Sequence, residues 1–312
     1  MRLGKSLLAL TVMFVLIIYG CTPARKPLAL KKYRTEPTVT VYFNETGEKK
    51  KMKLEEYVLG VVAAEMEPDW PVNALAAQAI LARTFALENI ESGKVRKLHG
   101  TDVSTDIEES QAYDPKKITE NVKKAVQMTR GQVVLYKGHF IKAWFNACDG
   151  GISASAREGL SYTKTPTPYV KELVKDGCLK VTIPENRHWR VEIPWEEIRK
   201  VLKTNYKTDP GPNPAVKVLA RGKSGRVLTL RVGTATVGAP ALRLALGPEK
   251  MRSTLLTKIF VENGKLIMEG KGFGHGVGLC QWGANKMARE GKSPEEIIRF
   301  YFKDIEIKKL WR

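Results

Sequence analysis

Glu65 is the residue of this 312-residue chain whose position best suits a desolvated acid. Leu54, Tyr57, Val58, Val61 and Val62 recur at three- and four-residue steps, which predicts a helix from Leu54 to Glu65 with one apolar stripe. Glu65 continues that stripe. A carboxyl group on a buried face is costly unless paired or protonated, and desolvation raises its pKa toward neutrality. A general acid for glycosidic cleavage needs that property. The competing reading is a last helical residue that frays into solvent; Glu67 and Asp69 fall off the stripe beside Pro68 and Pro71 and read as exposed.

Two further groups carry polar chemistry. A helix from about Asn73 to Ile90 is rich in alanine, with Gln78, Arg83 and Thr84 as its polar exceptions. Arg83 there needs a carboxylate or carbonyl partner: Glu65 or a substrate oxygen on one reading, a structural ion pair on the other. Gly272-Phe273-Gly274-His275-Gly276-Val277-Gly278 places four glycines in seven residues, which implies a backbone brought very close to something, with one imidazole displayed in it. The order of a phosphate-binding loop is lacking, and no strand-to-helix dinucleotide pattern accompanies it. Gln281-Trp282 follows, an amide and an aromatic plate of the kinds that sugar rings meet in a groove. The structural alternative buries Trp282 and bonds His275 to backbone.

Beyond Cys21 the cysteines are Cys148, Cys178 and Cys280. One Cys148–Cys178 disulfide with a spare Cys280 thiol is the simplest expectation for an exported chain. The competing use is a metal site on His139, Cys148 and Cys178, although no Cys-x-x-Cys or His-x-x-x-His spacing supports it.

These residues need elements to hold them. Arg2 and Lys5, the apolar run Leu7 to Tyr19 and the closing Gly20-Cys21 read as a signal over residues 1–21, with Cys21 as the lipidation candidate or the run as an uncleaved anchor. Residues 22–37 read as a basic, Pro-containing tether. Strands are expected at Thr38 to Phe43, Gln132 to Tyr136, Phe140 to Asn146, Lys180 to Ile183, Val216 to Ala220 and Arg226 to Val232. Helices return at Gln281 to Arg289 and, behind a Ser293-Pro294 cap, at Glu295 to Tyr301. Helices first, strands in the middle and helices last indicate an α+β fold of mixed helices and antiparallel-rich sheet. The net charge of +19 calls for an anionic setting. Basic residues are spread without interleaved aromatics, which argues against nucleic acid.

Together these segments resemble the SpoIID/LytB family, the sporulation stage II protein D and amidase-enhancer proteins of bacterial walls. The resemblance rests on residues 57–66 (YVLGVVAAEM), 74–87 (ALAAQAILARTFAL), Ser110-Gln111-Ala112-Tyr113, Gly150-Gly151, Leu246-Gly247, Arg252-Ser253 and residues 272–284. It implies a single domain over residues 38–305, with 306–312 as a basic tail. It further implies a lytic transglycosylase acting on peptide-stripped peptidoglycan glycan, with Glu65 as catalytic acid and Gln78, Arg83, Gln111, Tyr113, His275, Gln281 and Trp282 as substrate-binding residues. The alternative within the family is a noncatalytic glycan-binding enhancer of a cell-wall amidase. Implied partners are therefore glycan strands, an amidase and the membrane outside the cytoplasm, with no nucleic acid. Some relatives bind zinc through a His and Cys cluster, but Asn146 replaces that His here, so no cofactor is expected and zinc is the alternative. Cys280 stands where relatives usually have Ser, an exchange of one small residue for another.

Overall fold

The computed structural model describes residues 30–312; the signal segment, Cys21 and the first half of the tether lie outside the described residues. Among the described residues no helix is long and apolar enough to cross a membrane. β1 (Thr38–Tyr42) turns Val39 and Val41 into the core. It pairs antiparallel with β2 (Lys49–Lys53) and, in parallel, with β3 (Val103–Ser104). Lys49, Lys50 and Lys51 thus line an exposed sheet edge, where charge discourages pairing with another chain.

β2 runs directly into α1 (Leu54–Glu65), which ends where Met66 becomes extended ahead of Pro68 and Pro71. α2 (Val72–Ser92) follows and stops at Gly93, a left-handed cap with φ of 63°. Its alanines let α1, α4 (Glu120–Met128), α9 (Gln281–Arg289), α10 (Pro294–Tyr301) and β4 (Gln132–Tyr136) close around it. A short α3 (Lys94–His99) leads to β3. β4 is the middle strand between β5 (His139–Phe140) and the last strand, β14 (Glu306–Lys309).

The remaining chain builds a second core. After β6 (Phe145–Asn146), α5 (Ala156–Leu160) and α6 (Pro184–Arg187) come β7 (Trp189–Pro194) and α7 (Trp195–Tyr206). Then β8 (Val216–Arg221), β9 (Val227–Val232) and β10 (Ala235–Gly238) form an antiparallel sheet, capped by α8 (Ala239–Leu246). β11 (Leu256–Glu262) and β12 (Lys265–Gly270) pair with β7 in another. Apolar residues from Trp189 to Met268 gather in this core, while those from Tyr33 to Cys178 and from Val277 to Trp311 share the first. The chain therefore leaves the first core, builds the second, and returns through β13 (Leu279–Cys280), which pairs in parallel with β6.

The α+β class holds, with several local differences. The strand expected over Phe140 to Asn146 is two short pieces, β5 and β6, because residues 141–144 join no ladder. The strand expected over Lys180 to Ile183 is absent. Gly177 is left-handed and the Asp176 carboxylate accepts the Cys178 N–H at 2.8 Å, so the chain coils into a 3-10 turn over Cys178–Lys180. Helices α4, α7 and α8 interrupt the strand-rich middle; in α7 the buried Trp195, Ile198 and Leu202 mark a helical stripe, not a strand alternation.

Candidate active site

The last residue of α1 does not fray. Glu65 is half-buried, and one carboxylate oxygen accepts the Ala112 N–H at 2.8 Å. Burial pushes its pKa up from 4.5 to about 7, against the opposing hydrogen bonds from Ala112 and the Gln281 side chain. The loop carrying Ala112 can reach Glu65 because Gly60, one turn earlier on α1, has no side chain. A Cβ there would stand 2.3 Å from the Tyr113 ring. Asp114 N–H also donates to the Gly60 carbonyl at 3.0 Å, and Tyr113 stacks on Tyr57 with centroids 5.8 Å apart. A cleft of about 400 Å³ opens beside this loop, lined by Phe43, Thr105, Ala112 and Tyr113 among others. Glu65 itself lines neither this cleft nor a larger one of about 840 Å³ between Ser155 and Lys303.

α9 supplies the opposite wall. Cys280 caps it, accepting the Gly283 N–H, so that Gln281 begins the helix with its amide on Glu65. Trp282 is fastened through its backbone N–H to the Ala147 carbonyl at 3.1 Å, and its ring meets Trp70 edge-to-face at 4.7 Å. Both indoles are half-buried, so together they form an aromatic surface at the start of α9, next in sequence to Gln281. No local pattern around Trp70 marks it, because its place beside Trp282 depends on two segments more than 200 residues apart.

The structure therefore brings Glu65, Gln281, Trp282 and the Gln111–Tyr113 loop together. Gln78 and Gln111 sit buried on or against α2. Neither amide atom of Gln78 finds a hydrogen-bond partner among the described residues, and Gln111 makes one long bond, Nε2 to the Ala82 carbonyl at 3.5 Å. Arg83 lies elsewhere. It is fully buried, and its Nε and Nη2 donate to the Glu55 carboxylate at 3.0 and 2.8 Å, with Nη1 on the Gln132 carbonyl at 3.1 Å. Its partner is thus Glu55 and not Glu65, the structural ion pair that the sequence left open. Glu55 also takes the Gly131 N–H and the Trp311 indole N–H, at 3.0 and 2.9 Å.

His275 is bound into its own loop. Its Nδ1 accepts the Val277 N–H at 3.0 Å, and burial, followed by the Arg243 and Arg226 charges, holds its pKa down to about 3. A neutral ring with one nitrogen already occupied is poorly suited to proton transfer near neutrality. The glycines around it approach protein rather than an open cleft. A Cβ at Gly278 would be 2.0 Å from the Trp144 carbonyl, one at Gly274 2.7 Å from the Asn146 Cβ, and one at Gly276 2.0 Å from the Arg226 guanidinium. That guanidinium reaches from the second core to the Ile152 carbonyl at 2.9 Å and the Asp149 carbonyl. The glycine-rich loop is thus a close-packed seam between the two cores. His139 lies in the β4–β5 hairpin, paired in register with Tyr136. Cys148 and Cys178, with sulfurs 3.5 Å apart, are not joined by the expected disulfide; they gather with Cys280, while Asp149 and Asp176 gather with Cys178 and Cys280, and neither group takes His139.

Comparison with known proteins agrees with this layout. A family described as "Stage II sporulation protein" matches residues 42–136, the segment that holds α1, α2 and the Ala112 loop. A domain of unknown function matches residues 171–278, which contain the second core. An uncharacterised protein of Brachyspira hyodysenteriae is 33% identical over 257 residues, 82% of this chain and 67% of its own length. Stage II sporulation protein D of Bacillus subtilis is 29% identical over 294 residues, 86% of this chain and 78% of its own. The amidase enhancer of the same organism is 25% identical over 286 residues, 78% of this chain but 39% of its own. With the quoted blocks in order along one fold, this chain belongs to the SpoIID/LytB family and has a role connected with the bacterial cell wall.

Proposed function

We propose that the chain is a lytic transglycosylase that cleaves peptidoglycan glycan strands between N-acetylmuramic acid and N-acetylglucosamine. The observation that carries this reading is the Glu65 carboxyl group, raised to about 7 and only half-buried, beside the loop that lines a cleft at Ala112 and Tyr113. Protonated, it gives its proton to the glycosidic oxygen as the bond to C1 breaks. As a carboxylate it then takes the proton of the sugar's own C6 hydroxyl while that oxygen bonds C1, closing a 1,6-anhydro ring. One carboxyl group returns to its starting state and no water is consumed. The Ala112 N–H and the Gln281 amide steady the anion between the two steps, and Trp70 and Trp282 offer a face for a pyranose ring.

Glycan stripped of stem peptides suits a half-buried acid under a loop and an aromatic wall, where branched peptides would crowd the approach. The +19 charge favours residence beside anionic wall polymer and lipid, and a lipid on Cys21 would confine the acid to the membrane side of the wall, outside the cytoplasm. A second reading rests on the relative named amidase enhancer, in which the same cleft holds glycan without cutting it and stimulates an amidase.

The deciding test incubates the full-length chain, in detergent, with peptide-free glycan and analyses the products by mass spectrometry. Anhydro-ended fragments from the wild type and none from Glu65→Gln are expected. Equal activity of the two removes Glu65 from the mechanism. No products from any glycan, together with stimulation of a cell-wall amidase, establishes the enhancer reading instead.

A further inference from the structure

We propose that the outer face of the β2–β1–β3 sheet, together with α3, docks on the headgroups of anionic phospholipid and so seats the domain on the membrane. Strand register sets the face. Lys49, Lys51 and Lys53 stand opposite Tyr42, Thr40 and Thr38, whereas Val39 and Val41 turn into the core, so these three lysines share the outward side. α3 is fastened to the same sheet. The His99 ring stacks on Tyr42 with centroids 4.0 Å apart, and Arg96 pairs with Asp102, whose carboxylate accepts the Thr40 N–H at 2.8 Å and its hydroxyl at 2.7 Å. Lys94, Lys97 and Leu98 follow at steps of three and four, on one face of that helix, and all three are exposed.

Charge on this face is unbalanced. Lys32, Lys50 and Arg96 meet Glu91, Glu48 and Asp102, but Lys49, Lys51, Lys53, Lys94 and Lys97 have no ion-pair partner among the described residues. Protection of a sheet edge accounts for lysines on β2 and not for those on α3. Leu98 stands 56% exposed among them. A polyphosphate in water gives a leucine nothing to bury against, whereas a lipid surface takes the cations at its headgroups and the apolar side chain at the acyl boundary below them.

The place where the chain enters the fold favours the same partner. Tyr33 is buried in this corner, its hydroxyl donating to Glu91 at 2.5 Å and its ring edge-on to Phe140 at 5.7 Å. It lies 12 positions after Cys21, a span of at most about 40 Å, so an anchor within residues 1–21 keeps the basic face in reach of the bilayer. This step rests on the reading of those residues as a membrane signal. Phe43, which follows β1, lines the cleft with Ala112 and Tyr113. Docking therefore holds that cleft beside the membrane in one orientation, where a tether alone would leave the domain free to turn.

The test places the photo-crosslinking residue p-benzoylphenylalanine at position 98 of the full-length chain, which is mixed with vesicles of phosphatidylcholine alone or of phosphatidylcholine and phosphatidylglycerol in equal parts. Lipid adducts at that position, counted by mass spectrometry after irradiation, should be at least about tenfold more abundant in the anionic vesicles. Each lysine at such a surface is worth roughly fivefold in partition, so Lys49→Gln, Lys51→Gln, Lys94→Gln and Lys97→Gln combined should bring the anionic yield down to the neutral level. All four are exposed, so the core is left intact. The same crosslinker at Leu219, exposed on β8, should give no adduct in either vesicle. Equal adducts at position 98 in both vesicles, none in either, or equal yields from positions 98 and 219 would overturn the surface. Loss of the adducts on adding soluble poly(glycerol phosphate) would assign the face to wall polymer and overturn the lipid. Sedimentation with neutral vesicles reads the anchor and the adduct reads the face, with no glycan present, so failure of either is told apart from the other and from the glycan digest.

Discussion

Replacing Glu65 by glutamine should abolish glycan cleavage and at the same time stabilise the fold above neutral pH. Glutamine has the shape of the protonated acid and can still accept the Ala112 N–H, so the two proteins differ mainly by the cost of holding a charge. In the folded chain the carboxyl group titrates at about 7 rather than 4.5. A folded-state pKa above the unfolded one means the native state holds the proton more tightly. The contribution is greatest where both states are protonated, falls as pH rises from about 4.5 to about 7, and is flat beyond. The difference of roughly 2.5 units corresponds to about 3 kcal/mol, at about 1.4 kcal/mol per unit. Near pH 4.5 the wild type and Glu65→Gln should therefore unfold together. At about pH 8 the variant should be more stable by about 3 kcal/mol, or roughly 6 °C in Tm, with half the gap developed near pH 6. Urea unfolding followed by tryptophan fluorescence, repeated across that range, measures it. A gap that is constant with pH, or a variant less stable at about pH 8, would refute the claim that burial raises this carboxyl group.

Three other substitutions probe separate parts of the site. Gly60→Ala drives a methyl group into the Tyr113 ring, so it should cost about 1–3 kcal/mol and displace the Ala112 N–H; the activity loss should exceed what the Tm change explains. Gln281→Ala removes a hydrogen bond that lowers the Glu65 pKa, so the high-pH limb of kcat/KM, expected near 7 in the wild type, should move to higher pH. Arg83→Ala leaves the Glu55 carboxylate buried without its cation and should destabilise by about 3–5 kcal/mol in chemical denaturation, with little change in the pH profile of the molecules that remain folded.

The last two positions show why some of the site could be read from the sequence and some could not. Local periodicity located α1 to the residue, because its stripe, the extended Met66 and the two prolines all depend on near neighbours. Glu65 inherits its burial from that stripe, so its shifted acidity was legible. Arg83 was legible only halfway: a fully buried guanidinium must have a partner, but the choice between Glu65 and Glu55, at opposite ends of one helix, depends on how α1 lies against α2. The glycines of residues 272–278 did announce a close approach, and what they approach is Arg226 and the 144–150 segment, contacts made only once the second core is in place. Cys280 shows the same limit. Its sequence neighbours indicate a loop, whereas its sulfur lies beside those of Cys148 and Cys178, more than 100 residues earlier. Periodicity reports which face of an element is buried. The identity of a buried polar group's partner is a property of the packing, so charged and thiol side chains at long sequence separation are where the fold adds most to what the residues imply.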